Sequence, residues 1–319
     1  MRSKWEVEEG LRKHKSALMV LARKNFQKFL ETSVRVVVPY TPRAQQRAFR
    51  FSDVHSYNYE EIKKRYSVSE ELNASLVEHA REFIAMEYPT DVCIEGVESL
   101  IRKTESRVVV SLIGERCHWE SDFLRGVCRK VARYTAEEFL ELAEKAGVCL
   151  GELGYKDPRG LVAQDQGGFS VEIHEIEGGQ PVDGGKEEKD GYLGVLGGGN
   201  VLIRINCLCW KDKVPLGRDA MKMLDTLFLA SLRVVEKHEQ KSAPVIVHCL
   251  AGVGRTGSFI FYHMLRNAIL RGEVGQEALL SSFIDLFLYL RTKRTWMVEA
   301  VTQLEFLYDI FLKGDPDIE

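Results

Sequence analysis

One stretch near the C-terminal end constrains the fold more than any other part of the chain. The apolar run 245–247 is typical of a buried strand, and it leads without a linker into a loop that contains Gly252, Gly254 and Gly257. The pattern beyond the loop predicts a helix over 256–271. A buried strand that passes directly into a loop and a long helix favours an α/β or α+β domain.

The rest of the chain also mixes strands with long helices. Residues 151–200 hold 14 of the 26 glycines, and 176–200 is predicted to be a glycine-rich mobile loop. No repeat and no linker divides the chain, so we expect one domain over 1–319. The predicted strands lie at 107–113, 169–173, 201–205 and 244–247; the other predicted helices lie at 1–30, 135–145, 217–237, 276–292 and 298–313.

The predicted N-terminal helix over 1–30 is basic. It has eight basic and three acidic residues, which gives it a local charge of +5. One interpretation is a helix that binds a membrane surface or a partner. We favour the other, a helical extension packed on the domain with its basic face in water.

Composition excludes several classes of protein. With 45% hydrophobic residues and a net charge of −3, the chain is neither disordered nor built like a nucleic-acid binder. No apolar run approaches the ~18 residues of a membrane span, and the start has no signal-peptide core. Seven cysteines without regular spacing predict reduced thiols, no metal site and a cytoplasmic location, in the cell of origin or in another cell after delivery.

The loop after the predicted strand carries the residues of a chemical site. Cys249 opens it, and Arg255 follows after five residues. A glycine-rich loop at a helix N-terminus can direct its N–H groups at an anion, which favours a thiolate. The Arg255 guanidinium can bind two phosphate oxygens at once, and Thr256 can offer a hydroxyl to the sulfur.

Two other interpretations of the loop are weaker. Gly252, Gly254 and Gly257 have the spacing of a dinucleotide-binding fingerprint, but that motif needs an acidic residue at the end of a second strand about 20 residues on. Here the helix continues instead to Gly272. A buried inert cysteine is the second alternative, and the arginine and glycines around Cys249 argue against it.

Residues 248–256 resemble the signature His-Cys-x5-Arg-Ser/Thr of the classical, cysteine-dependent protein-tyrosine phosphatases. The resemblance implies that Cys249 is the nucleophile and that Arg255 binds phosphate. It also assigns the phosphate-binding loop to Leu250, Ala251, Gly252, Val253 and Gly254. The implied fold is a highly twisted mixed sheet flanked by helices, and the implied reaction needs no metal or other cofactor.

A second match lies upstream, where Trp210-Lys211-Asp212 is similar to the family's Trp-Pro-Asp lid, with lysine in place of proline. By this resemblance, Asp212 is the general acid and base, and Trp210 is the hinge of the lid. Further upstream, Phe51 and Asp53 match the recognition loop, where an aromatic ring stacks on the phosphotyrosine and a carboxylate holds peptide amides. Residues 71–75 resemble a structural motif of the family.

A third match lies near the C-terminus, where residues 294–303 are similar to the family's glutamine loop. Gln303 matches the second glutamine of that loop. Glu299 replaces the first glutamine, the residue that positions the hydrolytic water in the family. A carboxylate facing a phospho-cysteine repels it, so we expect Glu299 to slow the second step of the reaction. The alternative is that Gln303 alone positions the water and that Glu299 points to solvent.

The resemblance as a whole predicts a phosphatase that acts in signalling on phosphotyrosine-containing proteins. A dual-specificity or phosphoinositide phosphatase is one alternative, although lipid headgroups favour lysines inside the loop, where Leu250, Ala251 and Val253 are apolar. The other alternative is a phosphotyrosine-binding module with weak or no turnover. It is suggested by Lys211 and Glu299, which depart from the family's motifs.

Overall fold

A mixed β-sheet forms the centre of the computed structural model, which describes residues 9–36, 50–51, 53–113, 123–163, 167–176, 201–237 and 242–314. Its strands are β1 (Ala74–Val77), β2 (Phe83–Glu87), β3 (Val108–Ser111), β4 (Cys128–Thr135), β5 (Phe169–Ile176), β6 (Val201–Cys207) and β7 (Val245–Cys249). They form one seven-stranded sheet in the order β1-β2-β7-β3-β6-β5-β4. Strands β2, β7, β3 and β6 are mutually parallel, and β1, β5 and β4 pair antiparallel.

The α-helices of the described residues pack around this sheet. They are α1 (Glu9–Lys24), α2 (Phe26–Val34), α3 (Tyr59–Tyr66), α4 (Ile94–Thr104), α5 (Ala136–Lys145), α6 (Pro158–Ala163), α7 (Arg218–Glu236), α8 (Gly254–Leu270), α9 (Leu279–Lys293) and α10 (Val301–Leu312). Within the described ranges, no helix combines the length and apolar character needed to cross a membrane.

Strand β7 lies in the middle of the sheet and is buried on both faces. Val245 and Val247 contribute to one hydrophobic core, and Ile246 contributes to the core on the opposite face. Parallel strands covered on both faces are almost wholly apolar, which is why this run was recognisable in the sequence. The parallel register brings Cys249 beside Glu87 at the carboxyl end of the sheet.

The N-terminal region forms two helices rather than the single helix predicted over 1–30. The break is at Asn25, whose Oδ1 accepts a hydrogen bond from the Lys28 N–H at 3.0 Å and caps α2. Leu18 and Phe29 are buried in the main core. Lys15 Nζ lies 2.7 Å from Asp285 Oδ2, so an ion pair also connects α1 to α9.

Several elements in the first half of the chain are not predicted by the sequence pattern. Strands β1 and β2 and helix α3 were not predicted, nor was β4, in which Arg129 and Lys130 are exposed and the pairing shifts between Lys130 and Ala132. That irregularity breaks the alternation by which a strand is recognised. The predicted mobile loop over 176–200 lies, apart from Ile176, outside the described residues.

Candidate active site

Cys249 ends β7, and the loop that follows it curves around its side chain. The sulfur is buried, with 3% of the residue exposed. The Gly252 N–H donates a hydrogen bond to Cys249 Sγ over 3.2 Å, so this amide points into the loop. Helix α8 begins at Gly254, which places its N-terminus against the same concave surface. A loop of this shape at a helix N-terminus is suited to hold an anion.

Arg294 holds the loop from outside. Its Nε donates to the Gly252 carbonyl at 3.0 Å, and its Nη2 donates to the Ala251 carbonyl at 2.9 Å. Both carbonyls are thereby kept on the outer side of the loop. Burial lowers the pKa of Arg294 to about 10, while the nearby charges of Glu87 and Cys249 act in the opposite direction. The guanidinium therefore remains a cation at neutral pH.

Asn73 and Glu87 continue this network beneath the loop. Asn73 Oδ1 accepts a hydrogen bond from Arg294 Nη1 at 2.6 Å, and Asn73 Nδ2 donates to Glu87 Oε2 at 3.1 Å. Glu87 Oε1 accepts from the Arg50 N–H at 3.1 Å. Burial raises the pKa of Glu87, an effect opposed first by Arg294. The network therefore connects the loop to the segment that begins at Arg50.

Two glycines are required by close backbone contacts. Gly252 has φ +70°, and a Cβ added there would lie 2.1 Å from the Met86 carbonyl oxygen. A Cβ added to Gly257 would lie 2.4 Å from the Val298 backbone nitrogen. No side chain fits at either position without displacing the backbone. The glycines thus serve loop shape and close packing, not dinucleotide binding.

Arg255 connects the loop to residues 209–215, the segment that the resemblance assigns as a lid. Its Nη1 donates to the Trp210 carbonyl at 3.1 Å, and its Nη2 lies 3.3 Å from Asp212 Oδ1. Trp210 is buried, and its Nε1 donates to the Val214 carbonyl at 2.8 Å. Segment 209–215 therefore contacts Arg255 through a backbone carbonyl and a carboxylate, and 65% of the Asp212 side chain remains exposed.

Gln303 and Glu299 lie over the start of α8. A Cβ built at Gly254 would be 3.1 Å from Gln303 Oε1 and 3.3 Å from Glu299 Oε2. Gln303 Oε1 accepts from the Ala300 N–H at 3.2 Å, while its buried Nε2 has no hydrogen-bond partner among the described residues. Both side chains that the sequence assigned to the glutamine loop therefore lie beside Gly254, at the start of α8.

Two further buried polar side chains flank the loop, those of Thr256 and His248. The Thr256 hydroxyl is buried but makes no hydrogen bond within the described structure, so the hydroxyl–sulfur bond suggested from the sequence is not formed here. Burial, and to a smaller extent the charges of Arg204 and Arg255, lower the pKa of His248 to about 3. This imidazole is neutral and packs against the rings of Tyr88 and Phe123. His248 thus serves as an uncharged packing residue of the core.

Phe51 and Asp53 belong to the segment that the resemblance assigns to substrate recognition. Phe51 is half-buried, and Asp53 is exposed. Asp53 raises the pKa of Lys213 on the lid, a smaller effect than that of Glu299, so Asp53 lies near the lid. In the loop, the Leu250 carbonyl accepts from the Tyr88 N–H at 3.0 Å, and the Val253 carbonyl accepts from the Val298 N–H at 3.2 Å.

Some members of this arrangement were not singled out from the sequence. Arg294 and Asn73 lay within the motifs quoted above without an assigned role, and nothing in the sequence indicated that they meet each other and Glu87. Lys213 was not identified as a site residue, although its position directly after Asp212 was visible in the sequence. Among the described residues, no group of three or more histidine, cysteine, aspartate or glutamate side chains is placed to hold a metal ion.

The fold is similar to that of solved phosphatase domains. The catalytic domain of human protein tyrosine phosphatase non-receptor type 18 superposes with a TM-score of 0.57 at 15% identity, covering 91% of this chain and 96% of that chain. For the Trypanosoma brucei protein tyrosine phosphatase TbPTP1, the TM-score is 0.56 at 17% identity, and the superposition covers 95% of this chain and 92% of that chain. The predicted fold class, an α/β domain with a twisted mixed sheet, is thereby confirmed.

The C-terminal sequence is related to the same class. Residues 199–313 match the family model for protein-tyrosine phosphatases. Tyrosine-protein phosphatase corkscrew of Drosophila virilis is 36% identical over 69 residues, 22% of this chain and 9% of the relative. Receptor-type tyrosine-protein phosphatase epsilon of Rattus norvegicus is 40% identical over 81 residues, 25% and 11% of the two chains. These matches thus span only about a tenth of each relative. Residues 199–313 therefore resemble the protein-tyrosine phosphatases in sequence, and the chain resembles their catalytic domains in fold.

Proposed function

We infer that the chain is a phosphatase that hydrolyses phosphotyrosine in proteins through a phospho-cysteine. The observation that carries this inference is the pair of contacts made by Arg255. One edge of its guanidinium meets the Trp210 carbonyl and Asp212, while the residue itself starts the helix behind the Cys249 loop. Nucleophile, phosphate-binding cation and acid therefore surround one small volume, as phosphoryl transfer requires.

In the first step, the Cys249 thiolate attacks phosphorus in line with the tyrosyl oxygen. The S–P bond forms as the P–O bond breaks, and the proton of Asp212 goes to the leaving phenolate oxygen. Arg255 and inward-facing amides such as the Gly252 N–H bind the equatorial oxygens. Lid closure brings Asp212 to the leaving group and excludes water from it.

In the second step, water attacks the phospho-cysteine. Asp212, now a carboxylate, accepts the water proton, and the electron pair of the breaking S–P bond returns to sulfur. Gln303 and Glu299 lie over Gly254, where they can orient that water. Inorganic phosphate then leaves, and the thiolate is regenerated. These residues complete the cycle without a metal ion.

Phosphotyrosine in a peptide is the substrate that the surroundings of the site favour. A half-buried Phe51 offers an aromatic face for a phenyl ring, and the exposed Asp53 carboxylate can accept hydrogen bonds from peptide amides. A related fold, PTPN18, has been solved with phosphopeptides of HER2, at 14% identity to this chain and a TM-score of 0.55. Leu250, Ala251 and Val253 give the loop no cation for a second phosphate.

Initial rates with p-nitrophenyl phosphate, matched phosphotyrosine and phosphoserine peptides, and phosphoinositide vesicles test this proposal. We expect hydrolysis of the aryl phosphate and the phosphotyrosine peptide, with unchanged rates in the presence of a chelator. Faster release of phosphate from vesicles or phosphoserine would favour the lipid or dual-specificity alternative. Stoichiometric binding of the phosphotyrosine peptide without hydrolysis would identify a binding module.

A further inference from the structure

The lid is connected to the glutamine loop through Lys213, the residue after Asp212. Lys213 Nζ lies 3.2 Å from Glu299 Oε1, with 63% and 32% of the two side chains exposed. The Lys213 carbonyl accepts a hydrogen bond from Thr302 Oγ1, at the start of α10, over 2.8 Å. Side chain and backbone of one lid residue are thus both bound to the segment that carries Glu299 and Gln303.

Lys213 is surrounded by carboxylates. Its hydrogen bond with Glu299 is the main reason that its pKa is raised, and Asp212 and Asp53 raise it further. Arg291 also experiences the charge of Glu299, but burial lowers the pKa of Arg291 to about 9, and its Nη2 donates to the Val298 carbonyl at 2.9 Å. Lys213 is therefore the cation that contacts the Glu299 carboxylate directly in the described structure.

The backbone of Lys213 supports a specific role for its side chain. Its φ is +57°, in the left-handed region that glycine adopts without cost and residues with a side chain generally avoid. Lys213 makes its contacts with Glu299 and Thr302 in this conformation. The second carboxylate oxygen of Glu299 remains directed at Gly254, over the loop.

We propose that Lys213 is a positioning residue that makes Glu299 compatible with hydrolysis of the phospho-cysteine. The proposal rests on the phosphatase function inferred above. A free carboxylate repels the phosphorylated sulfur, but the pair of Lys213 and Glu299 has no net charge. Glu299 Oε2 then accepts a hydrogen bond from the attacking water, whose proton goes to Asp212 as the S–P bond breaks. The pair takes the place of a neutral glutamine, and it joins residues 209–215 to the glutamine loop.

Rapid mixing of Lys213→Met with saturating p-nitrophenyl phosphate tests the proposal. We expect a burst of p-nitrophenol and then a steady rate about 2–5-fold below that of the unmodified chain, the effect of one partly exposed ion pair. The difference is expected to shrink at high ionic strength, because salt screens such a pair. Lys213→Arg is expected to retain the original rate, since it retains the charge.

Glu299→Gln identifies the partner of Lys213. Added to Lys213→Met, it is expected to remove the burst and restore the steady rate, because an amide needs no counter-ion. Lys145→Met is the matched control: this exposed lysine ends α5, outside the residues assigned to the site, so its loss is expected to leave both phases unchanged. A Lys213→Met variant without a burst, or no rescue by Glu299→Gln, would overturn the proposal.

A measurement that does not depend on turnover separates this proposal from the proposed function. With vanadate bound, amide hydrogen exchange over residues 209–215 is expected to be faster in Lys213→Met than in the unmodified chain, because the closed lid has lost one contact. Equal exchange would overturn the role of Lys213 whether or not the chain hydrolyses phosphate esters. Failure of the unmodified chain to release p-nitrophenol concerns the proposed function alone.

Discussion

Cys249→Ser is expected to lower the rate of p-nitrophenyl phosphate hydrolysis by roughly 10⁵-fold or more, the scale seen when a nucleophile is removed. A serine hydroxyl at neutral pH stays protonated and attacks phosphorus poorly. Phosphate binding is expected to survive, because Arg255 and the Gly252 N–H are unchanged. Initial rates and titration calorimetry with a phosphotyrosine peptide measure the two properties separately.

Cys128 provides a matched control for this substitution. Like Cys249 it is buried, with 3% of the residue exposed, and its Sγ donates to the Leu124 carbonyl at 3.5 Å, a bond that a serine hydroxyl can replace. Cys128→Ser is therefore expected to retain activity. A Cys249→Ser variant with turnover near that of the unmodified chain would exclude the covalent mechanism.

Asp212→Ala is expected to slow hydrolysis by about 10²–10⁴-fold, the usual contribution of a positioned general acid. The loss is expected to be larger for phenyl phosphate than for p-nitrophenyl phosphate, because the poorer leaving group needs protonation more. Folding stability is expected to change little, since 65% of the Asp212 side chain is exposed. A series of aryl phosphates of increasing leaving-group pKa measures this dependence.

Asp212→Asn separates proton transfer from the contact with Arg255. The amide oxygen can still accept a hydrogen bond from the guanidinium, whereas the amide cannot supply an acidic proton. We therefore expect Asp212→Asn to be impaired about as much as Asp212→Ala. An equal loss across all leaving groups, or normal turnover in the asparagine variant, would assign Asp212 a different role.

The centre of the site could be predicted from the sequence because its determinants are local. Strand β7, the loop and α8 follow one another, and each has its own signal: an apolar run, a cluster of glycines and a helical pattern. The lid was recognisable only by its resemblance to a known motif, since Trp210 and Asp212 carry no periodic signal. Only the folded structure shows that Trp210 and Asp212 contact Arg255.

The support of the loop could not be predicted, because it depends on long-range contacts. Asn73 and Arg294 are 221 residues apart in sequence, yet their side chains are 2.6 Å apart. Lys213 and Glu299 likewise come from different segments, and their pairing changes the expected effect of the carboxylate. At the sheet edge, β4 was missed because the exposed residues Arg129 and Lys130 and an irregular register weaken the strand pattern.

The most direct test of the account is to trap the phospho-cysteine. The unmodified chain is mixed rapidly with p-nitrophenyl phosphate, quenched in acid during the first turnover, digested and analysed by mass spectrometry. The account predicts one added phosphoryl group on the peptide that contains Cys249, and none in the Cys249→Ser variant. Release of p-nitrophenol without any phosphorylated Cys249 peptide, or a phosphoryl group on another residue, would contradict it.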